Sequence, residues 1–364
     1  MSNKFVFFAI IAIIIGVVIS LNTGSSEIEK IELSNEYSYI GNFSDGLAYV
    51  VSDKDNKCGY VDENGKIVIP CIYDSANKFS EGLALVKYNG EFSFIDKSGE
   101  TIISNVDIDD NFGESISYFS NGRALVRRNE KYGYIDKIGE EIIPCQYLLA
   151  LPFENNFAFV VYENKERAYI NTYGDEVITF YDSETQAVPF SEGLAVIEEN
   201  EEWNVINEYG ESVIEYKDGY NIPHILNYLY NDFQDGMILI THNEKAGYMN
   251  SQGEIVIPCI YDGGTKFENG KAFVGKDNKI LVIDKEGNEN KIADNKYIVE
   301  GFKDILIVAN TKEYGMLVDN EKYGCIDKEG KKILPCEYDE ISGFIDGVAT
   351  AKKDNKWYIL KIKD

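Results

Sequence analysis

Three short marks recur in a fixed order from about residue 30 to the C-terminus, and repetition of one small unit constrains a fold more than any other sequence feature. The first mark is Phe-x-x-Gly followed by an apolar stretch, as in Phe43-Ser-Asp-Gly46, Phe79-Ser-Glu-Gly82, Phe119-Ser-Asn-Gly122 and Phe190-Ser-Glu-Gly193. Phe233/Gly236, Phe267/Gly270 and Phe344/Gly347 continue it, and Phe153 is followed by Asn156, the non-Gly residue that best tolerates positive φ. The second mark is an apolar alternation ending in Asp or Asn with Gly three residues on, from Asp62/Gly65 to Asp327/Gly330. That pair suits a tight hairpin turn. The third mark follows at once, as Ile67-Val-Ile-Pro-Cys-Ile-Tyr73, with a Tyr six residues before the next Phe. Successive Gly residues of the second mark lie 34, 40, 35, 36, 43, 34 and 43 apart. The unit reads as three short antiparallel strands plus an extended Tyr-to-Phe connection. About nine such units give an all-β chain of tandem β-meanders, and residues 288–320 carry the weakest copy.

The two ends are offset. Lys30-Ile-Glu-Leu-Ser-Asn-Glu-Tyr37 aligns with Lys66 to Tyr73, whereas the last copy stops after Trp357-Tyr-Ile-Leu-Lys361 without its third strand. The N-terminus therefore begins with the element that the C-terminus lacks. An open solenoid has no use for this offset, but a ring closes by it, so a closed propeller-like toroid is favoured over an open β-solenoid.

At Lys131-Tyr-Gly-Tyr-Ile-Asp136, Lys322-Tyr-Gly-Cys-Ile-Asp327 and the Phe-Ser-Glu-Gly-Leu-Ala segments, the chain resembles the bacterial WG-repeat proteins over about residues 30–364. No literal Trp-Gly occurs: the Trp position holds Cys58, Tyr132, Ala246 and Tyr323, and Trp203 and Trp357 are followed by Asn204 and Tyr358. The resemblance implies a noncatalytic binding or scaffolding repeat protein and brings no catalytic residues with it.

Ahead of the repeats, Phe5 to Leu21 is apolar except for Gly16 and Ser20, after a short start with Lys4. It reads as a hydrophobic helix, a signal peptide or an uncleaved anchor. Residues 1–26 are thus a targeting segment, 27–364 the repeat domain, and the bulk of the chain is expected to be exported, secreted or membrane-anchored through residues 5–21.

With 62 acidic and 35 basic side chains the net charge is −27, which argues against nucleic acid as a partner. Two His and no Cys-x-x-Cys argue against zinc or His-based catalysis, and no cofactor or metal site is expected. Cys71, Cys145, Cys259 and Cys336 share one repeat position in non-neighbouring copies, so they read as small buried side chains and not as disulfides. Asp107-Ile-Asp109-Asp-Asn111-Phe-Gly113 loosely resembles the start of a calcium loop, but Gly is one place late and Tyr118 stands where Glu is needed. The recurring Phe and Tyr read as core. Binding candidates are instead the residues where copies differ: Trp203, Trp357, Tyr228 and Tyr230, with Asp107 and Asp109 in an acidic loop. The insertions 105–118 and 218–232 are the expected site loops.

The expected function is a noncatalytic module at the bacterial surface, binding a protein or a cell-envelope glycan. Two other classes stay open: a glycan-active enzyme with carboxylates converging at the ring centre, and a structural spacer.

Overall fold

The computed structural model describes residues 27–34, 36–108, 117–180, 185–199, 202–215, 219–223, 231–277, 279–291, 314–319, 322–327 and 332–363. The hydrophobic helix expected over residues 5–21 lies outside them. Among the described residues every regular element is a β-strand, and no helix is long and apolar enough to cross a membrane.

Among the described residues the strands form nine antiparallel sheets, eight of four strands and one of three. The first contains Tyr37–Ile40, Leu47–Ser52, Cys58–Asp62 and Ile67–Tyr73 in consecutive order. The three-stranded unit expected from sequence gains a strand, because the Tyr-to-Phe connection is itself paired. In the second sheet, Ser75 and Ala76 lie opposite Lys87 and Val86. An extended segment beside a sheet edge satisfies its backbone groups by joining the ladder.

Phe-x-x-Gly is a two-residue turn whose central residues both have positive φ, 53° at Asp45 and 82° at Gly46. This geometry matches the right-handed twist of the strands it joins. Asn155 and Asn156 adopt it at 49° and 69°. Successive turns are bonded to one another. Ser44 Oγ donates to the carbonyl of Phe79 at 2.6 Å, Ser80 Oγ to that of Phe119 at 2.7 Å, and Ser191 Oγ to that of Phe233 at 2.7 Å. Carboxylates do the same in the other sense, Asp45 accepting from the Gly82 amide at 2.7 Å and Asp235 from that of Gly270 at 2.6 Å.

The core lies between neighbouring sheets. Where the preceding sheet offers an aromatic ring the turn Phe packs on it: Tyr60 with Phe79, Phe94 with Phe119 and Tyr248 with Phe267, all at 4.8 Å between centroids. The Tyr hydroxyls reach across too, Tyr60 donating to the Asn77 carbonyl at 2.7 Å and Tyr248 to that of Thr265 at 2.8 Å. Burial of the ring and satisfaction of its one polar atom come from the same neighbour.

The third mark has a steric counterpart on the adjacent strand. A Cβ at Gly59 would sit 2.5 Å from the Ile69 carbonyl oxygen, at Gly133 2.6 Å from that of Ile143, at Gly247 2.5 Å from that of Ile257, and at Gly324 2.7 Å from that of Leu334. These are the four copies that continue with Pro-Cys, and the ladder shifts register at each. Where Pro-Cys is missing, the glycine is replaced by Ser93, Ala168, Asn204 or Leu281. Pro cannot donate to a ladder and sits at a bulge; the bulge pushes backbone onto its neighbour, and only Gly leaves room. Cys71, Cys145 and Cys259 lie beside this bulge, half-buried and not enclosed as sequence suggested, and burial pushes the Cys71 thiol up to about 11.

The ninth sheet contains Glu340–Ile341, Val348–Lys353 and Lys356–Lys363, and Glu27–Glu32 is its fourth strand. Lys30 lies opposite Leu360, Ile31 opposite Ile359 and Glu32 opposite Tyr358. Leu33 stands against Gly65 as Ile69 stands against Gly99 and Ile178 against Gly210. Trp357 and Ile359 share one buried cluster with Ile31, Leu33, Ile40, Phe43 and Val50. The ninth sheet therefore packs on the first.

Candidate functional site

The Asp/Asn-x-x-Gly hairpins are held from within. The Asn171 side-chain oxygen accepts from the amides of Tyr173 at 2.9 Å and Asp175 at 3.0 Å, and that of Asn207 accepts from Tyr209 and Glu211, both at 3.0 Å. Asp136 accepts likewise from Ile138 at 3.0 Å and Glu140 at 2.9 Å. Arg123 Nε also donates to the Thr172 carbonyl at 2.9 Å, tying the fourth sheet's hairpin to the third sheet. On these rigid turns three consecutive sheets expose an apolar side chain at one position: Ile138 is 70% exposed, Tyr173 75% and Tyr209 83%. The same position carries Asn64, Ser98, Gln252 and Glu286 elsewhere.

The Tyr209 hairpin continues into a cavity of about 610 Å³ between the fourth and fifth sheets. Ile178, Phe180, Ile197 and Ile206 supply its apolar wall, and Glu199, Glu202, Asn204, Ser212 and Glu215 its polar one. It lies where the third mark has drifted. Asn204 takes the place of the close-approach glycine and Glu215 that of the proline, and the fifth sheet's third strand is only Ser212–Ile214. Glu199 accepts from Thr185 Oγ1 at 3.1 Å. Glu199 and Glu202, the last and first residues of Leu194–Glu199 and Glu202–Asn207, line this cavity.

A second meeting of charges involves residues flanking the turn Phe. Lys266 Nζ lies 2.5 Å from Asp232 Oδ1. Burial holds the Glu154 carboxyl above its ordinary range, Asp232 pushes the same way, and Lys266 and Lys78 oppose them. Side chains entering the second, fourth, sixth and seventh sheets thus act on one another. Lys78 also lies 5.1 Å from the Tyr118 ring. Among the described residues no three His, Cys, Asp or Glu side chains are grouped to hold a metal ion.

The residues singled out in sequence fare differently. Trp203 and Trp357 are 2% and 5% exposed, so they are not ligand platforms. Their indole N–H groups donate to the carbonyls of Tyr220 at 2.9 Å and Ser38 at 3.2 Å in the adjoining sheets, and Arg167 Nη1 bonds the Thr185 carbonyl in the same way. Where this variable position holds Trp or Arg, the side chain is a cross-sheet donor. Asp107 is exposed and pairs with Arg128 at 2.9 Å, which makes it a loop anchor. Asp109, Tyr228 and Tyr230 lie outside the described residues, as does most of both expected site loops. Ile138, Tyr173 and Tyr209 were missed, and their signal was the apolar exception at one aligned hairpin position.

Antiparallel sheets in tandem, mostly four-stranded and sharing apolar clusters between neighbours, define a β-propeller-like repeat scaffold. The family model described as WG containing repeat matches residues 31–58, 59–92, 114–132, 132–165, 247–279 and 323–357, together half of the chain. The chain belongs to that family. No curated protein matches it. Among solved structures, a crystal structure of the eukaryotic initiation factor aligns with TM-score 0.50 and 8% identity over 82% of this chain and 87% of that one, a likeness of fold alone. BamB from Moraxella catarrhalis aligns at TM-score 0.42 and 10% identity over 95% and 100%, and the computationally designed Ika8 protein at 0.45 and 11% over 91% and 98%.

Proposed function

We propose that this chain is a noncatalytic binding or scaffold module, closed into a ring, that engages a protein partner at the bacterial cell surface. The observation that carries the binding reading is the run of exposed apolar tips on three neighbouring sheets, set on hairpins that are otherwise polar at that position. Rigid aromatic tips lose little conformational entropy on contact.

Closure draws support from repetition of the sheet-to-sheet contacts at the ninth and first sheets: the indole bond of Trp357 to Ser38, and Leu33 against Gly65. The shared electrostatics of Lys78, Glu154, Asp232 and Lys266 fit side chains facing one central opening. Small-angle scattering distinguishes this ring from a spacer, since an elongated particle overturns closure. Export rests on the apolar segment 5–21 and is checked by protease treatment of intact cells, which leaves an internal protein untouched.

The test of binding is a photo-crosslinking residue placed at Glu208, beside Tyr209, and in parallel at Asp55 on a different hairpin of the first sheet. Adducts at 208 and none at 55 are expected in the cell of origin. No adduct at either position sinks the reading. A second reading, a glycan-active enzyme, is favoured only by the coupling of Glu154 to Asp232; cell-wall glycan cleavage that disappears in Glu154→Gln would replace the first.

A further inference from the structure

We infer that the partner segment is an extended, lysine- or arginine-bearing polypeptide that lies across the hairpin tips of the third to fifth sheets and inserts one basic side chain into the neighbouring cavity. The inference rests on the binding reading and adds the chemistry of the partner. Three observations converge on it. Ile138, Tyr173 and Tyr209 occupy one aligned position of consecutive units, so they present apolar anchors at repeat intervals, which suits an elongated ligand and not a compact one.

Charge around the tips is predominantly acidic. Asp136, Glu140, Asp175, Glu208 and Glu211 flank the three anchors, against Lys137, paired with Glu81 at 3.2 Å, and Arg123, whose Nε bonds the Thr172 carbonyl; Glu141 is already paired with Arg128. An acidic surround with two exposed phenol rings complements cationic side chains, which find both carboxylates and aromatic faces there. The open cavity beside Tyr209 combines the same two chemistries. Its apolar wall of Ile178, Phe180, Ile197 and Ile206 suits a methylene stem, while Glu199, Glu202 and Glu215 suit an ammonium or guanidinium head. Among the described residues no Lys or Arg lines it. Its volume falls within the usual range of ligand sites.

The test uses the full chain and a fluorescent twelve-residue peptide of alternating Lys and Ser, with an alternating Glu and Ser peptide and soluble peptidoglycan fragments as comparators. Anisotropy at low salt is expected to show binding of the basic peptide alone, weakening steeply as salt rises. Tyr173→Ser with Tyr209→Ser should weaken it by about tenfold or more, the scale of one or two anchor contacts. Glu202→Gln with Glu215→Gln should weaken it and flatten the salt dependence, while Gln252→Ala on the sixth sheet's hairpin should change nothing. Equal binding by all variants, or a preference for glycan fragments over the basic peptide, overturns the inference. Crosslinked adducts at position 208 without any charge preference would remove the peptide chemistry and leave the binding reading standing; absence of adducts would remove both.

Discussion

The Phe-x-x-Gly turns and the Asp/Asn-x-x-Gly hairpins are both tight turns in the same unit, yet they diverge in opposite ways. The first keep Phe in every copy cited, because each Phe ring fills a space against the preceding sheet and each turn bonds the next. The second keep only the Asx and the Gly. Asx holds the loop, and Gly leaves room for a branched side chain of the preceding sheet: a Cβ at Gly174 would sit 3.3 Å from Ile143. The residue directly before the Gly points outward and is free to change. What repeats builds the scaffold, and what departs from the repeat at a rigid position is available for recognition.

The largest effect expected from breaking the scaffold side is at the chain ends. Ile31→Asp with Leu33→Asp places two carboxylates in the cluster shared by the ninth and first sheets. Loss of either apolar side chain alone is a 2–5 kcal/mol event on the usual scale of core truncations, written here as about 3 kcal/mol per site, before the burial of charge is added. Denaturant unfolding should show a large fall in midpoint, and dimers should form through the bared edge of Lys356–Lys363. An unchanged midpoint would mean that the two ends are independent of each other.

The glycine rule is sharpened by a pair of opposite changes. Gly133→Ala must move backbone, since its Cβ meets the Ile143 carbonyl at 2.6 Å, and overpacking of this kind costs about 1–3 kcal/mol. Ala168→Gly, at the same position of the fourth sheet, should cost only about 0.5–1 kcal/mol, the entropic penalty of a strand glycine. Thermal melts that rank the pair the other way would dissociate the glycine from the proline bulge.

Much of this architecture was legible in sequence because repetition averages out local noise. The hairpins, the turn geometry at Asn155 and Asn156, and the alignment of Lys30 with Lys66 all follow from comparing copies. The fourth strand was missed because two paired residues, such as Ser75 and Ala76, carry no alternation. Trp203 and Trp357 misled because a large aromatic found in few copies resembles an addition, when it is one of several side chains able to donate across the sheet boundary. The cavity had a readable trace, since loss of glycine and loss of Pro-Cys go together in the same copies. Reading it required the backbone contact that links the two strands.

A smaller effect separates the Glu154 charge cluster from the scaffold. The Glu154 carboxyl sits above its unfolded value, chiefly because burial penalises the anion. The stability tied to this group is therefore full below the unfolded value and lost as pH rises through the folded one. Glu154→Gln removes that loss, so the variant should melt higher than the parent at neutral pH and converge with it in acid. A variant that melts lower at neutral pH would show that Glu154 is held by Lys78 and Lys266 as a needed anion.

The smallest stability effect belongs to the tips, and that smallness is the sharpest test of the contrast. Tyr173 and Tyr209 project into solvent, and the hydrogen bonds at their turns run through backbone amides that any residue supplies. Tyr173→Ser and Tyr209→Ser should therefore each shift stability by no more than about 0.5 kcal/mol, as expected for exposed positions. Crosslinking from position 208 and peptide binding should nonetheless fall together in the double variant. Phe79→Ala in the turn class should do the reverse, costing about 3–5 kcal/mol while any molecules still folded keep their tips. A melting temperature that drops as far for Tyr209→Ser as for Phe79→Ala would erase the distinction between the two kinds of turn, because the tip would then be part of what holds the sheets together.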